Sequence, residues 1–324
     1  MSTPTIVATG PVSDLAEEIL KPFGEIVIAP AKSEETLLSL LPEAVGVVLR
    51  GGGHFSARLI AGSPNLKVIA RSGVGYDNVD VLAASERGIP VVFTPGAGAR
   101  GVAEAAMTWM LALCKDVVFW DQQFKSGHWN SRLEHQSGDL EGATLGIVGF
   151  GRIGQQLAKF ARPFDMTILA HDPFVGAEVA EPLNVRMVEL EELFRQSDFI
   201  SVHCAPTDEN RGLINRELLQ HVKPGAFFIN LARGTLVDSL DALHEALEDG
   251  RLAGVGLDVF SPEPPEPGLY GHPLFGHRNC LTAPHSLAAT RGAMSNIFKS
   301  MANDMAAVFR GERPRFVVNP EVFD

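Results

Sequence analysis

The sequence predicts an α/β protein with two domains, each a doubly wound parallel sheet, and three observations carry that expectation. Short β-branched runs alternate with helix-like segments as far as residue 98, and a second such series begins near residue 144. A chain of 324 residues with 45% hydrophobic content is long enough for two separate cores. A glycine cluster, GFGRIG, sits between a strand-like and a helix-like run of the second series, the local pattern of an anion-binding turn.

In chain order, the first strands are expected at TIVA, EIVIA, VGVVL, KVIA and PVVF, with helical stretches such as LAEEIL and ETLLSLL between them. The segment VAEAAMTWMLALCKDVVFW (102–120) reads as one helix, apolar on nearly every face, and so buried between domains or subunits. LGIVGF, MTILAHD, DFISVH, AFFINLA and LAGVGLDV supply the second set of strands. The last helix, RGAMSNIFKSMANDMAAVF (291–309), is amphipathic and has no strand after it, so it is a candidate to return to the first domain. SPEPPEPGLYGHP is the one proline-rich loop, and the chain shows neither low-complexity tails nor a short-period repeat.

Composition narrows the function. Asp and Glu number 39 against 27 Lys and Arg, a formal charge of -12 that repels phosphate backbones and anionic lipids; nucleic-acid and membrane partners are not expected. Cys114, Cys204 and Cys280 lie far apart, without metal-ligand spacing or a disulfide framework, which suits a reducing compartment and no metal. MSTPTIVATG lacks the basic and apolar regions of a secretory leader, and no run reaches the roughly 18 apolar residues of a membrane span. A soluble cytoplasmic protein is the expectation.

In GFGRIG, Gly149 and Gly151 let the backbone turn tightly and approach a pyrophosphate, Gly154 allows close helix packing, and the helix start favours the anion. MTILAHD then places Asp172 at a strand end, where a carboxylate can accept hydrogen bonds from ribose hydroxyls. The same carboxylate would repel the extra phosphate of NADP, so NAD is the expected cofactor. A glycine-rich turn without a ligand is the competing reading, and the strand, helix and acid context argue against it.

Three further residues follow later strands: Arg233 after FFINLA, Glu263 in DVFSPEP and His285 in LTAPHS. A cation, a carboxylate and an imidazole beside a nicotinamide suit hydride transfer to a 2-oxo acid, which needs a carboxylate anchor and a proton donor. Singly, each has a plain alternative: a surface arginine, a solvated loop glutamate, a core histidine.

Together the segments GFGRIG, HDP, INLARGTLVD, GLDVFSPEP and APHS, preceded by RSGVGYDNVD and TPGAGARGVAEAA, resemble the D-isomer-specific 2-hydroxyacid dehydrogenases over nearly the whole chain. The resemblance implies a discontinuous flavodoxin-like substrate domain (1–98 and 286–324), a Rossmann-type NAD-binding domain (99–285) inserted into it, a cleft between them, and a homodimer formed through the nucleotide-binding domains. It assigns His285 as the acid that protonates the 2-oxo oxygen, or as the base in reverse, with Glu263 favouring the imidazolium. It gives Arg233 the substrate carboxylate as a fork-shaped donor. Backbone N–H groups of Val74 and Gly75 join that grip. On the cofactor side it places Arg152 and Ile153 at the pyrophosphate, Asp258 at the carboxamide, and Cys204, Asn210, Leu231 and Ala232 nearby.

Some positions depart from the commonest family pattern. Asn210 stands where many relatives carry threonine. RGGGH replaces the arginine-serine pair of the phosphoglycerate-oxidising branch, although Arg50 aligns with an arginine facing the distal end of the substrate there. No extra C-terminal regulatory domain is expected. Glu263 in place of glutamine argues against the formate-oxidising branch, and Arg132 in SGHWNSR takes a place often held by tryptophan. The expected activity is NAD-dependent interconversion of a small D-2-hydroxy acid and its 2-oxo acid, of hydroxypyruvate, glyoxylate or 3-phosphoglycerate type. The alternative is an NAD-sensing corepressor-like binding protein on the same scaffold.

Overall fold

The computed structural model describes residues 4–324; Met1 to Thr3, where the first expected domain begins, lie outside the described residues. The chain divides into two compact units, Met1–Gly98 with Ala289–Asp324, and Ala99–Ala288.

The first unit holds β1 (Thr5–Ala8), β2 (Glu25–Ile28), β3 (Ala44–Leu49), β4 (Val68–Arg71) and β5 (Val91–Val92) in the order β2-β1-β3-β4-β5, every pair parallel. β3 is apolar almost without interruption because helices cover both faces of a parallel sheet. One face is covered by the helix Arg291–Phe309, which sets Phe298, Met301, Ala302 and Met305 against Ile6, Ala8, Val48, Val68 and Val92. The last strand is shorter than PVVF suggests, and Val92, paired with Ala70, also makes an antiparallel bridge with Val317. Asn319, nearly fully buried, secures the closing segment there: its Oδ1 accepts the Val91 N–H at 2.8 Å and its Nδ2 donates to Ile89 O at 3.0 Å.

The second unit holds β6 (Thr144–Val148), β7 (Thr167–His171), β8 (Arg186–Met187), β9 (Phe199–Val202), β10 (Ala226–Asn230), β11 (Leu252–Leu257) and β12 (Cys280–Thr282). Their order is β12-β11-β10-β9-β6-β7-β8, all parallel, so the direction of winding reverses between β6 and β9. Ligands of open α/β sheets bind outside the strand ends at such a reversal.

One expectation needs correction. The segment 102–120 is not one helix: Ala99–Cys114 ends there, Asp116 adopts a left-handed φ of +50°, and a second helix runs Val117–Lys125. The first of these buries Ala103, Ala106, Met107 and Met110 in its own unit's core, so its apolar surface needs no second domain to cover it. The second buries none of its residues. The second compact unit runs to Ala288, beside the expected boundary at 286. Asp258 accepts the N–H groups of Ser286 and Leu287, and Leu287 and Ala288 pack on the second core.

Candidate active site

β6 ends in the glycine turn. Gly149 has φ +94°, and a side chain there would begin 2.4 Å from the Cys204 backbone nitrogen, so only glycine lets the exits of β6 and β9 lie together. A Cβ on Gly154 would stand 2.4 Å from Gly149 O, which fixes how closely the helix Arg152–Ala161 packs on its strand. Gly151 faces outward, with nothing within 4 Å of its would-be Cβ. Among the described residues, the N–H groups of Gly151, Arg152 and Ile153 have no acceptor, as the first turn of a helix dictates. Open backbone donors at a helix start favour an anion, so these residues fit a dinucleotide pyrophosphate.

Asp172 follows β7 and closes over this turn. Its Oδ2 accepts the Phe150 N–H at 2.8 Å and its Oδ1 the Phe174 N–H at 2.9 Å, and a carboxylate so held keeps lone pairs for hydroxyl groups. Burial pushes the Cys204 thiol up to about 11, with Asp172 adding to it against the residue's own backbone hydrogen bond, so the thiol stays protonated. Next to it, burial pushes His203 down to about 3, a neutral ring bonded through Nε2 to Ser201 Oγ at 2.8 Å. Asn210 uses its amide within its own loop, accepting the Thr207 N–H at 2.7 Å and donating to Ala205 O at 2.8 Å. Leu231 is buried and Ala232 half-buried as the chain leaves β10.

The three reacting-group candidates come together in this unit. Arg233 continues from β10 and donates from Nη1 to Ala232 O at 2.8 Å. A Cβ on Gly234 would stand 2.1 Å from the Phe260 carbonyl carbon, so glycine lets the Arg233 segment lie directly on the one carrying Glu263. Glu263 Oε1 accepts the Phe260 N–H at 3.0 Å, and Oε2 lies 2.7 Å from His285 Nδ1. Burial alone would raise the Glu263 carboxyl. The His285 hydrogen bond and charge, the Phe260 N–H and the Arg233 charge outweigh it and hold the group below the usual carboxylate range. His285 itself has a left-handed φ of +50° and a side chain 48% exposed. With Nδ1 on Glu263, Nε2 is the nitrogen that can meet a reacting oxygen.

Asp258 is 2% exposed, accepts the Ser286 N–H at 2.9 Å, and shares the Leu287 N–H between its two oxygens; burial raises its carboxyl against those bonds. It therefore holds the turn that follows His285, whatever else it contacts.

The other candidates lie elsewhere. Val74 and Gly75 are in the first unit, in a loop where Arg71 Nε donates to Gly75 O at 2.7 Å, and their own N–H groups have no acceptor among the described residues. Arg50, also there, donates from Nη1 to Pro11 O and lies over the Phe298 ring, 5.4 Å from its centroid. Arg132 lies over Trp129 in an exposed segment of the second unit, 5.2 Å from the ring centroid. Asn230, not singled out from the sequence, is 1% exposed and bonds to both Ala232 and Arg233. Its signal was a lone amide ending the apolar run AFFI.

Comparison with known proteins bears on this arrangement. Residues 107–286 match the family model described as D-isomer specific 2-hydroxyacid dehydrogenase, NAD binding domain. The chain is 39% identical over 315 residues to the D-3-phosphoglycerate dehydrogenase of Methanocaldococcus jannaschii, covering 97% of this chain but 59% of that protein. It is 38% identical over 288 residues to the hydroxypyruvate reductase of Thermotoga maritima, covering 89% of this chain and 92% of that one. Among solved structures, the D-lactate dehydrogenase of Aquifex aeolicus, in complex with NAD and lactic acid, superposes with a TM-score of 0.88 at 26% identity, covering 97% and 99% of the two chains.

Proposed function

The chain belongs to the D-isomer-specific 2-hydroxyacid dehydrogenase family, and on that premise we propose that it is an NAD-dependent oxidoreductase interconverting a small D-2-hydroxy acid and its 2-oxo acid. The observation that carries the proposal is the hydrogen-bonded Glu263–His285 pair, with Arg233 held against the same loop, in the unit that also presents the glycine turn. The named relatives are dehydrogenases and a reductase, which favours turnover over a corepressor-like role.

The nicotinamide, when bound, supplies or accepts the hydride. The N–H groups of Gly151, Arg152 and Ile153 would hold the pyrophosphate, and Asp172 would accept from the ribose hydroxyls. Asp258 lies close enough to the His285 turn to serve the carboxamide while holding that turn. In reduction, His285 would give its Nε2 proton to the 2-oxo oxygen; in oxidation it would take that proton back. Glu263 on Nδ1 fixes which ring nitrogen faces the reaction and balances the imidazolium charge. Arg233 grips the substrate carboxylate through its guanidinium N–H groups. Arg50 is left out of this set because its guanidinium is engaged with Pro11 and Phe298.

A homodimer and a cytoplasmic location belong to the same proposal. The exposed Val117, Phe124, Trp129 and Leu133 support the first, and three free thiols suit a reducing compartment. Among the described residues, no helix is long and apolar enough to cross a membrane. A panel of 2-oxo acids, assayed with NADH and with NADPH, tests the function. Saturable turnover of hydroxypyruvate, glyoxylate or a phosphorylated analogue with NADH is expected, and no turnover of any member would overturn it. Light scattering on the eluting peak reads the assembly.

A further inference from the structure

β10 and β11 are neighbours in register, Asn230 beside Leu257; Asn230, the last residue of β10, and Asp258, the first residue after β11, are polar and almost wholly buried, at 1% and 2% exposed. Burying an amide without partners is costly, so where its bonds go is informative. The Asn230 Oδ1 accepts the Ala232 N–H at 3.0 Å, and its Nδ2 donates to Arg233 O at 2.9 Å. Both bonds reach forward onto the segment that carries the guanidinium, on either side of the Ala232–Arg233 peptide. Neither contributes to the sheet. Asn230 O accepts the Asp258 N–H at 3.1 Å, and Asp258 in turn accepts the N–H groups of Ser286 and Leu287 behind His285. One residue therefore touches the mountings of both reacting side chains.

We propose that Asn230 is a positioning residue for the reaction, fixing Arg233 where it must meet the substrate through the two bonds of its side-chain amide. The proposal deepens the reading above and rests on Arg233 being the carboxylate anchor. No other side chain can replace the amide at this volume. Aspartate keeps the acceptor for Ala232 but turns a donor into an acceptor facing Arg233 O, and leucine leaves the Ala232 N–H without its acceptor and Arg233 O with only the longer Leu236 N–H bond at 3.3 Å.

The test is a double-mutant cycle. Asn230→Ala alone should lower kcat/KM for the 2-oxo acid by on the order of a hundredfold, the scale of a misplaced anchor, with the loss shared between a raised KM and a lowered kcat. NADH affinity, read by fluorescence titration, should be unchanged. In an Arg233→Ala background, assayed at high enzyme concentration, the same substitution should cost no more than about twofold, because it acts through a side chain already removed. Asn230→Ser, which can still accept from Ala232, should recover part of the loss and serves as the working variant if the alanine does not fold. Equal losses in the two backgrounds, or a fall in NADH affinity that tracks the fall in activity, would show a structural role and overturn the proposal. An Arg233→Ala protein with full activity would instead overturn the functional reading.

Discussion

Each unit has a sheet whose winding reverses once, between β1 and β3 in the first and between β6 and β9 in the second, and the two reversal points are furnished differently. In the first, Thr9 Oγ1 accepts the Arg50 N–H at 2.8 Å and donates to Arg50 O at 3.2 Å, and the Arg50 side chain folds onto Pro11 and Phe298. A Cβ on Gly10 would already stand 3.4 Å from Arg50 Cδ. In the second, a Cβ on Gly151 would meet nothing within 4 Å, and three successive N–H groups find no acceptor among the described residues. Equal topology thus produces one crevice filled by the chain's own side chain and one lined with unused donors. The lesson is that a strand-end arginine is not evidence of a site by itself. Arg50 and Arg233 look alike in sequence, and what separates them is company: carbonyls and a ring for the first, a glutamate–histidine pair for the second.

Substitutions break or sharpen this contrast in order of expected size. His285→Ala should lower kcat by a hundredfold or more, the scale of positioned acid–base catalysis, with NADH affinity retained; steady-state kinetics beside a binding titration decides it. Gly234→Ala forces the Phe260 segment away and should cost about 1–3 kcal/mol of stability as overpacking. It should also lower kcat/KM by separating Arg233 from Glu263, and melting curves and kinetics read the two effects. Asp172→Ala should narrow the preference for NADH over NADPH by removing a repulsion. Equal use of both cofactors by the unaltered enzyme would remove the reason for the assignment.

Glu263→Gln is a pH experiment. The carboxyl is held below its usual range, so its ionised form stabilises the folded state above the ordinary glutamate range, and that contribution disappears as pH falls through the lowered value. The variant should therefore lose less stability than the parent on acidification. Parallel melting and rate profiles would show whether the pair is catalytic or only part of a loop. Arg50→Ala should have the smallest effect, an equal and modest loss with glyoxylate and hydroxypyruvate. A loss confined to hydroxypyruvate would show that the guanidinium leaves Pro11 to read the distal end of the substrate.

Strands with β-branched runs were legible because parallel sheets bury both faces, and β1, β3, β6, β9 and β10 lie where TIVA, VGVVL, LGIV, FISV and AFFIN stand. Edge strands β8 and β12, two and three residues long, carry too little pattern to be read. The break at Asp116 was hidden because apolar residues continue past it and only the backbone angle marks the end of the helix. At the site, the glycines, Asp172, Arg233, Glu263 and His285 announced themselves by residue type beside turns. Asn230 did not, because a buried amide means something only once its partners are known. Asp258 carried one expected role, and its bonds to Ser286 and Leu287 add another that no spacing could foretell.

Asp172 has a bearing on protein engineering. The oxygen that accepts the Phe150 N–H secures the glycine turn, so the residue proposed to discriminate between cofactors is also a strut of the pocket that receives either one. A redesign toward the phosphorylated dinucleotide at this position would alter selectivity and loop geometry in one stroke. A basic side chain introduced elsewhere, with Asp172 replaced by asparagine so that the Phe150 N–H keeps an acceptor, is the substitution pattern that would let the two properties be tuned apart.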